Sequence, residues 1–219
     1  KFLDQQCGSS MACIHTGFME IAMGFSDIIL AGGYEHMTRI PMGAYNTDKG
    51  LIAPNMTLFL YPSYKHWDMM TTVNMGLTAE KLFSLTKFTR EEMDRWGVRS
   101  HQRAAKAQAE GFFAGEILPI EAEQADGTVM KVDKDQAVRT DATLEGLAEL
   151  KPSFKKDGVI TPGNSSPLNA AASSMVLMSK ETAKKKGIKP LATIRSIGYA
   201  GVDPTIMGVG PVPSSKMAV

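Results

Sequence analysis

Cysteine is scarce in this sequence: its 219 residues carry two, Cys7 and Cys13. If both stand on one helix they point in different directions, which argues against a disulfide between them. Such low usage fits a reducing compartment. Charge of one sign is lacking too. The formal net charge is +1, so no overall field draws the chain to nucleic acid or to an acidic membrane. No apolar run reaches the length of a bilayer span, and no charged-then-apolar secretory segment stands at the start. The histidines, His15, His36, His66 and His101, form no metal-ligand spacing with one another. Gly-x-Ser-x-Gly is missing, so a serine-hydrolase elbow is not supported, and no Walker or dinucleotide glycine pattern occurs. What is left is ordinary globular material, 43% hydrophobic and 21% charged. It suffices for a core at the size of one large domain, or one domain with an inserted subdomain. The 15 Met read as adaptable packing, because no His or Cys cluster accompanies them.

Along the chain, Met11, Ile14, Phe18, Ile21, Ala22 and Phe25 recur at helical spacing after Cys7, with Gly24 in the C-cap region. Ile28 to Ala31 is a continuous apolar run ending in Gly32-Gly33, the pattern of a strand buried on both faces. Helix, turn and buried strand together indicate the α/β alternation of a mostly parallel sheet. From Arg39 to Lys156 the texture changes. Residues 41–66 are loop-like, and Leu77 to Leu85 reads as helix. Thr89-Arg90-Glu91-Glu92 is a capping box opening a long helix to about Phe112, closed by Gly111 and Gly115. Short strands flank the Ala125-Asp126-Gly127 turn, and Thr143 to Leu150 is a short helix ended by Pro152. This block reads as an inserted, largely helical lobe. Beyond Val159 the α/β texture returns. Ser173 to Met178 reads as a buried strand, and Glu181 to Lys186 as a helix with Gly187 at C′. Lys184 to Lys186 complements that helix's C-terminal dipole. Ala192 to Tyr199 reads as another strand. Gly201 to Pro213 reads as a Gly/Pro loop unfit for any regular element. Ser214 then reads as an N-cap followed by a single helical turn, and Lys1 runs straight into the cysteine turn. Both ends suggest a segment of a longer protein.

Among candidate chemistry, Cys7 comes first, in the stretch "QQCGSSM". A thiolate at a helix N-terminus faces unpaired N–H groups and the positive end of the dipole, and both favour the nucleophilic form. Gly8, Ser9 and Ser10 leave room for a thioester carbonyl. The alternative is a small buried cysteine, a common fate of the residue. Cys13, inside the helix beside Ile14, reads as structural. His15 lies near the core face and reads as a satisfied core residue. His36, after the Gly-Gly turn, is either an active-site group at a sheet edge or a structural hydrogen-bonding residue. His101 sits on the long helix, exposed to solvent.

Five stretches, in order, resemble the thiolase family, above all its degradative 3-ketoacyl-CoA thiolases. They are "QQCGSSM", "AGGYEHMTRIPM", "NMGLTAE", "GVITPGNSSPLN" and "GVDPTIMGVGPVPSSK". The resemblance implies an α/β fold of the layered α/β/α/β/α thiolase kind, of which this chain holds part. Residues 1–40 would end the N-terminal half, 41–157 would form the inserted loop domain that covers CoA, 158–188 would return to the N-terminal half, and 189–219 would start the C-terminal half. It implies an acyltransferase in which Cys7 takes the acyl group from a 3-ketoacyl-CoA, acetyl-CoA leaves, and CoA collects the shortened chain. Asn74 and Met75 match a pair beside the pantetheine and acyl group. Arg139 matches a basic residue near the nucleotide of CoA, Phe154 an aromatic contact to the pantetheine arm, and Ser166 a serine bonding a pantetheine amide. Read without the resemblance, Met75 and Phe154 are core, Arg139 is solvated surface and Ser166 is a turn former.

CoA would be a co-substrate, with no tightly bound cofactor and no metal. The implied assembly is a homo-oligomer, dimer or tetramer, with a β-oxidation complex as a further partner, in the bacterial cytoplasm or an organellar matrix. Two departures stand out. Where the family usually reads Ser-Gly-Leu-Asn-Asp-Gly-Ala, this chain reads Ser166-Pro167-Leu168-Asn169-Ala170-Ala171-Ala172. The family's Cys-x-Gly, Gly-His-Pro and Asn-Glu-Ala-Phe motifs do not occur in these residues. They leave open a catalytically incomplete, thiolase-like CoA-binding or structural subunit. The lobe motifs and the 201–213 loop weigh against a ketoacyl synthase.

Overall fold

The computed structural model of the chain describes residues 1–37, 61–124 and 126–219. Its helices are α1 (Ser9–Ala22), α2 (Met69–Val73), α3 (Met75–Ser84), α4 (Arg90–Ala109), α5 (Leu144–Ala148), α6 (Lys180–Lys185) and α7 (Pro211–Ala218). Its strands are β1 (Ile28–His36), β2 (Ile120–Glu123), β3 (Val129–Val132) and β4 (Ala170–Met178). These elements fall into two compact units. The first takes the described residues of Lys1–Trp67 with Leu168–Asp203 and Val209–Val219, and the second takes Asp68–Pro167 with Pro204–Gly208. The loop reading of residues 41–60 and the Ala125 position of the hairpin turn lie outside the described residues.

In the first unit α1 lies on one face of the β1–β4 ladder. A Cβ at Gly17 would sit 2.9 Å from Leu177 and 3.2 Å from Ile29, so the helix backbone rests almost directly on the strands. Ala12, Gly17 and Ala31 are buried at this contact. Gly24, at φ +76°, ends α1: its N–H bonds the Ile21 carbonyl and the Phe25 N–H bonds the Glu20 carbonyl. That is a complete Schellman turn, which a side chain at Gly24 would strain. Gly187 closes α6 in the same way, with Ile188 N–H on the Ala183 carbonyl.

Three expectations for this unit change. The ladder is antiparallel, with Ile28 opposite Met178 and His36 opposite Ala170. The sequence between β1 and β4 is far longer than a crossover helix, so connection length imposes no direction on the pair. Among the described residues the strands are also covered on one face only. Ile28, Leu30 and Tyr34 point away from α1 and are exposed, Leu30 at 72%. The apolar run therefore does not mark two-sided burial among the described residues. Finally, residues 192–199 form no strand. They run along α7 instead, where the Ser196 hydroxyl donates to the Ala218 carbonyl and a Cβ at Gly198 would collide with the Ser214 backbone.

The 201–213 stretch is more regular than its composition suggests. Pro204–Val209 makes a kinked 3-10 segment, and α7 begins at Pro211 with Gly210 as N-cap. Pro211 and Pro213 occupy the first turn, where backbone N–H groups have no intrahelical acceptor, so two prolines cost no hydrogen bond. Ser214, expected as the cap, lies inside the helix and donates back to the Gly210 carbonyl.

The second unit is built from capped helices. Asp68 caps α2, Asn74 caps α3, and Thr89 with Glu92 completes the expected capping box on α4. Thr143 caps α5, and β2 pairs with β3 around Gly127 at φ +81°. Its interior is unusually polar. Asp94 is 1% exposed and receives the Arg90 guanidinium at 2.7 Å on Oδ2 and the Asn164 amide at 3.0 Å on Oδ1. Arg90 also donates to the carbonyls of Leu147 and Leu150. Glu80, likewise buried, accepts the N–H groups of Val159 and Ile160 at 2.8 and 2.9 Å. A Cβ at Gly97 would lie 2.4 Å from the Gly163 carbonyl, so α4 and the 158–166 loop meet backbone to backbone.

Removing one partner of a buried pair leaves the other charge uncompensated. Asp94→Ala is therefore expected to destabilise the protein by about 3–5 kcal/mol in urea denaturation, while Glu91→Ala, which breaks the exposed Glu91–Arg95 pair, leaves the midpoint unchanged. The α2 cap carries a pH signature. Hydrogen bonds from the Thr71 hydroxyl and N–H hold the Asp68 carboxyl below the usual aspartate range. Its contribution is thus complete above the ordinary aspartate value and is lost as pH falls through the lowered one. The Thr71 amide proton should report that loss in an acid NMR titration, and Asp68→Asn should remove the titration.

Candidate active site

Cys7 lies in the first unit, exposed, in the 3-10 turn Gln6–Gly8 directly ahead of α1. The residue before it is the unusual one. Gln6 has φ +51°, the only non-glycine positive φ among the described residues. Holding a side chain there costs about 1–3 kcal/mol. The turn is tied on every side. The Gln6 N–H donates to Asp4 Oδ1 at 2.9 Å. The Ser9 hydroxyl donates to the Gln6 carbonyl at 2.6 Å and accepts the Gln5 N–H at 2.8 Å. The Gly8 N–H closes on the Gln5 carbonyl at 3.0 Å. Next along α1, Ser10 packs on β1 so closely that a Cβ at Gly33 would overlap its hydroxyl. The start of the helix is thereby seated on the sheet.

Cys13 is half-buried within α1. His15 differs from its expected role: its Nδ1 is buried without a hydrogen-bond partner, and its ring meets Tyr199 edge to face at 4.9 Å. His36 ends β1 opposite Ala170. His66 stands edge to face with Trp67. His101 is half-buried rather than solvated, because its Nδ1 accepts the Arg139 N–H at 3.1 Å.

The other candidates fall in the second unit, in two groups. Phe154 lies on Gly76: a Cβ there would sit 2.1 Å from the ring. This brings Phe154 beside Asn74 and Met75 at the head of α3. Asn74 spends its Oδ1 on the Leu77 N–H at 3.1 Å, which leaves its amide nitrogen as the donor end. Met75 and Phe154 are 44% and 45% exposed, so neither is a core residue. Arg139 and Ser166 make the second group. Both are exposed. Ser166 lines a groove of about 940 Å³ against α4, together with Trp96, Arg99, His101 and Pro167. Arg99 stacks over Trp96 at 4.5 Å. Through His101 the backbone of Arg139 is fixed to the same helix. The hydrogen bonds that the Arg95 guanidinium donates to the Glu91 carboxylate hold its pKa further above the ordinary value, so it stays cationic at the groove edge.

Sequence reasoning missed Gln6, Glu80, Asp94 and Asn164, and it read Ser9 as a small residue leaving space rather than as a hydrogen-bonding one. A positive φ leaves no compositional trace at a glutamine. Composition does not tell a buried acid from an exposed one, although Asp94 four residues after Arg90 is a readable ion-pair spacing.

Residues 1–181 match the family described as thiolase, N-terminal domain. The chain is 41% identical over 218 residues to a 3-ketoacyl-CoA thiolase of Marinobacter nauticus, covering 99% of this chain and 53% of the relative. It is 43% identical over 214 residues to one of Stutzerimonas stutzeri, covering 97% and 52%. Among solved structures it resembles the Bacillus anthracis acetyl-CoA acetyltransferase, with TM-score 0.81, 38% identity and coverage of 99% of this chain and 55% of that one. It also resembles human mitochondrial 3-ketoacyl-CoA thiolase, with TM-score 0.79, 34% identity and coverage of 97% and 54%. The chain thus spans about half the length of the relatives it matches.

The Phe154 contact makes a sharp test of the second unit's geometry. Gly76→Ala should destabilise by about 1–3 kcal/mol through overpacking. Adding Phe154→Ala should remove most of that penalty, and a double-mutant cycle in thermal unfolding measures the coupling.

Proposed function

The chain belongs to the thiolase family, and from that premise we propose that it supplies the nucleophile and the CoA-covering portion of a 3-ketoacyl-CoA thiolase. The observation that carries this reading is the family match over residues 1–181, which includes Cys7, exposed in a strained turn at the head of a helix. In the proposed reaction the Cys7 thiolate attacks the 3-keto carbon of a 3-ketoacyl-CoA. The bond between C2 and C3 breaks, its electron pair leaves on the acetyl-CoA carbon, and that carbon takes a proton. The shortened acyl group stays on Cys7 Sγ as a thioester. The thiolate of a second CoA attacks it and releases Cys7. Backbone N–H groups at the start of α1 would stabilise the oxyanion of each tetrahedral intermediate.

We assign residues 41–157 to the lobe over CoA. Within it Asn74, Met75 and Phe154 would line the pantetheine arm. The exposure of Met75 and Phe154, with the Phe154 ring resting on Gly76 next to Met75, favours a ligand surface over a packing role. Ser166 would bond a pantetheine amide. Arg139 would meet the nucleotide end, by phosphate pairing or by stacking on the base. CoA is then a co-substrate, no resident cofactor or metal takes part, and the assembly is a homodimer or tetramer. Among the described residues no helix is long and apolar enough to cross a membrane.

Mass spectrometry of the intact protein after incubation with acetyl-CoA should find an acetyl group on Cys7. Cys7→Ala should lower CoA-dependent cleavage of acetoacetyl-CoA by several orders of magnitude. Undiminished turnover in that variant would remove Cys7 as the nucleophile. CoA binding without any adduct would instead assign the chain a binding role.

A further inference from the structure

Resting on the assignment of Cys7 as nucleophile, we propose that Ser9, with Asp4, is a positioning residue. It holds the strained turn that presents the thiol, and the strain at Gln6 is part of that presentation.

The geometry gives Ser9 a task beyond opening a helix. A hydroxyl at the first helical position commonly bonds within its own turn. Here it bridges both sides of one strained residue, accepting the N–H of Gln5 and donating to the carbonyl of Gln6. Asp4 takes the remaining backbone polar group of that residue, the Gln6 N–H. Packing by the described residues does not impose this conformation, because Gln5, Gln6 and Cys7 are all exposed among them. Glycine would adopt the same φ without penalty, so strain kept at the residue next to the nucleophile points to a directional role. The turn also has a fixed base. Ser10 is seated on Gly33 of β1, so an altered turn cannot be absorbed by tilting the helix start. It shifts Cys7 relative to α1. A displacement of about 1 Å in a reacting group can cost on the order of 100-fold in rate.

The test compares wild-type intact protein with Ser9→Ala, Ser9→Thr and Gln6→Gly. The readouts are thermal melting, the rate of Cys7 carbamidomethylation by iodoacetamide from pH 6 to 9, and kcat and KM with acetoacetyl-CoA and CoA. Ser9→Ala should slow both alkylation and kcat by about 10- to 100-fold with KM unchanged, and Ser9→Thr should restore both. Gln6→Gly should melt higher than wild type yet alkylate and turn over more slowly, a split that a merely structural turn would not produce. Wild-type alkylation and kcat in folded Ser9→Ala would overturn the proposal. Should Ser9→Ala fail to fold, a more stable Gln6→Gly with unchanged chemistry overturns it equally. Iodoacetamide reports on the thiol without any thiolase turnover. If Cys7→Ala kept its activity while Ser9→Ala still slowed alkylation, the nucleophile assignment would fail and the positioning claim would stand.

Discussion

The carboxylate of Asp94 is the point on which the second unit depends. Buried without a partner, it would carry a desolvation penalty of several kcal/mol, so the sequence around it is arranged to satisfy both oxygens. Arg90, one turn earlier on α4, supplies one partner, and Asn164, from a distant loop, supplies the other. Each partner is itself committed. Arg90 reaches on to the carbonyls at the end of α5, and Asn164 receives the Thr161 N–H and donates to the Val159 carbonyl. One buried charge thus joins α4, α5 and the 158–166 loop. Glu80 repeats the device from α3 at the start of the same loop. The loop that carries Ser166 is therefore held by hydrogen bonds of fixed direction, where an apolar core would specify its position less sharply.

The first unit solves a similar problem by close approach. Gly17 lets α1 settle onto Ile29 and Leu177, and Gly33 admits Ser10. At these two points a missing Cβ fixes the distance between helix and sheet. The consequence reaches Cys7, because its turn is an extension of the helix end that Gly33 seats. In each unit, then, an exposed candidate residue is displayed by a rigid element whose position is set elsewhere. That separation lets the Cys7 thiol and the Phe154 ring remain accessible without loosening the fold.

Much of this was legible in the sequence. Capping chemistry acts over a few residues, so Thr89 with Glu92, Thr143, Gly24 and Gly187 announced their helix ends and appear where expected. Periodicity located α1 but not its buried face. The sheet contact runs through Ser10 and Gly17, small residues that hydrophobic spacing passes over, while Met11 and Phe25 lie exposed. Ile28 to Ala31 announced a strand, but neither its direction nor the number of covered faces, since both depend on where distant β4 pairs. The two prolines near 211 read as breakers because composition does not reveal a helix's first turn. Residues 192–199 have the composition of a strand, yet they lie against α7, an alternative that only tertiary contact decides.

The altered loop at 166–172 shows the same distinction acting on function. A proline in place of glycine restricts φ and removes a donor, and either change would break a strand interior. Pro167 lies ahead of β4, which begins at Ala170, so its missing N–H is not one the ladder uses. The ladder's first pair sets Ala170 opposite His36, and the Asn169 carbonyl just before it takes the Met37 N–H. Proline then narrows the conformations open to the segment between a pinned loop and a paired strand. Ser166 sits in that segment, bounded upstream by the Asn164 clamp and downstream by Pro167. A residue bounded on both sides has its backbone restricted while its side chain stays exposed, which suits the amide-bonding role proposed for Ser166.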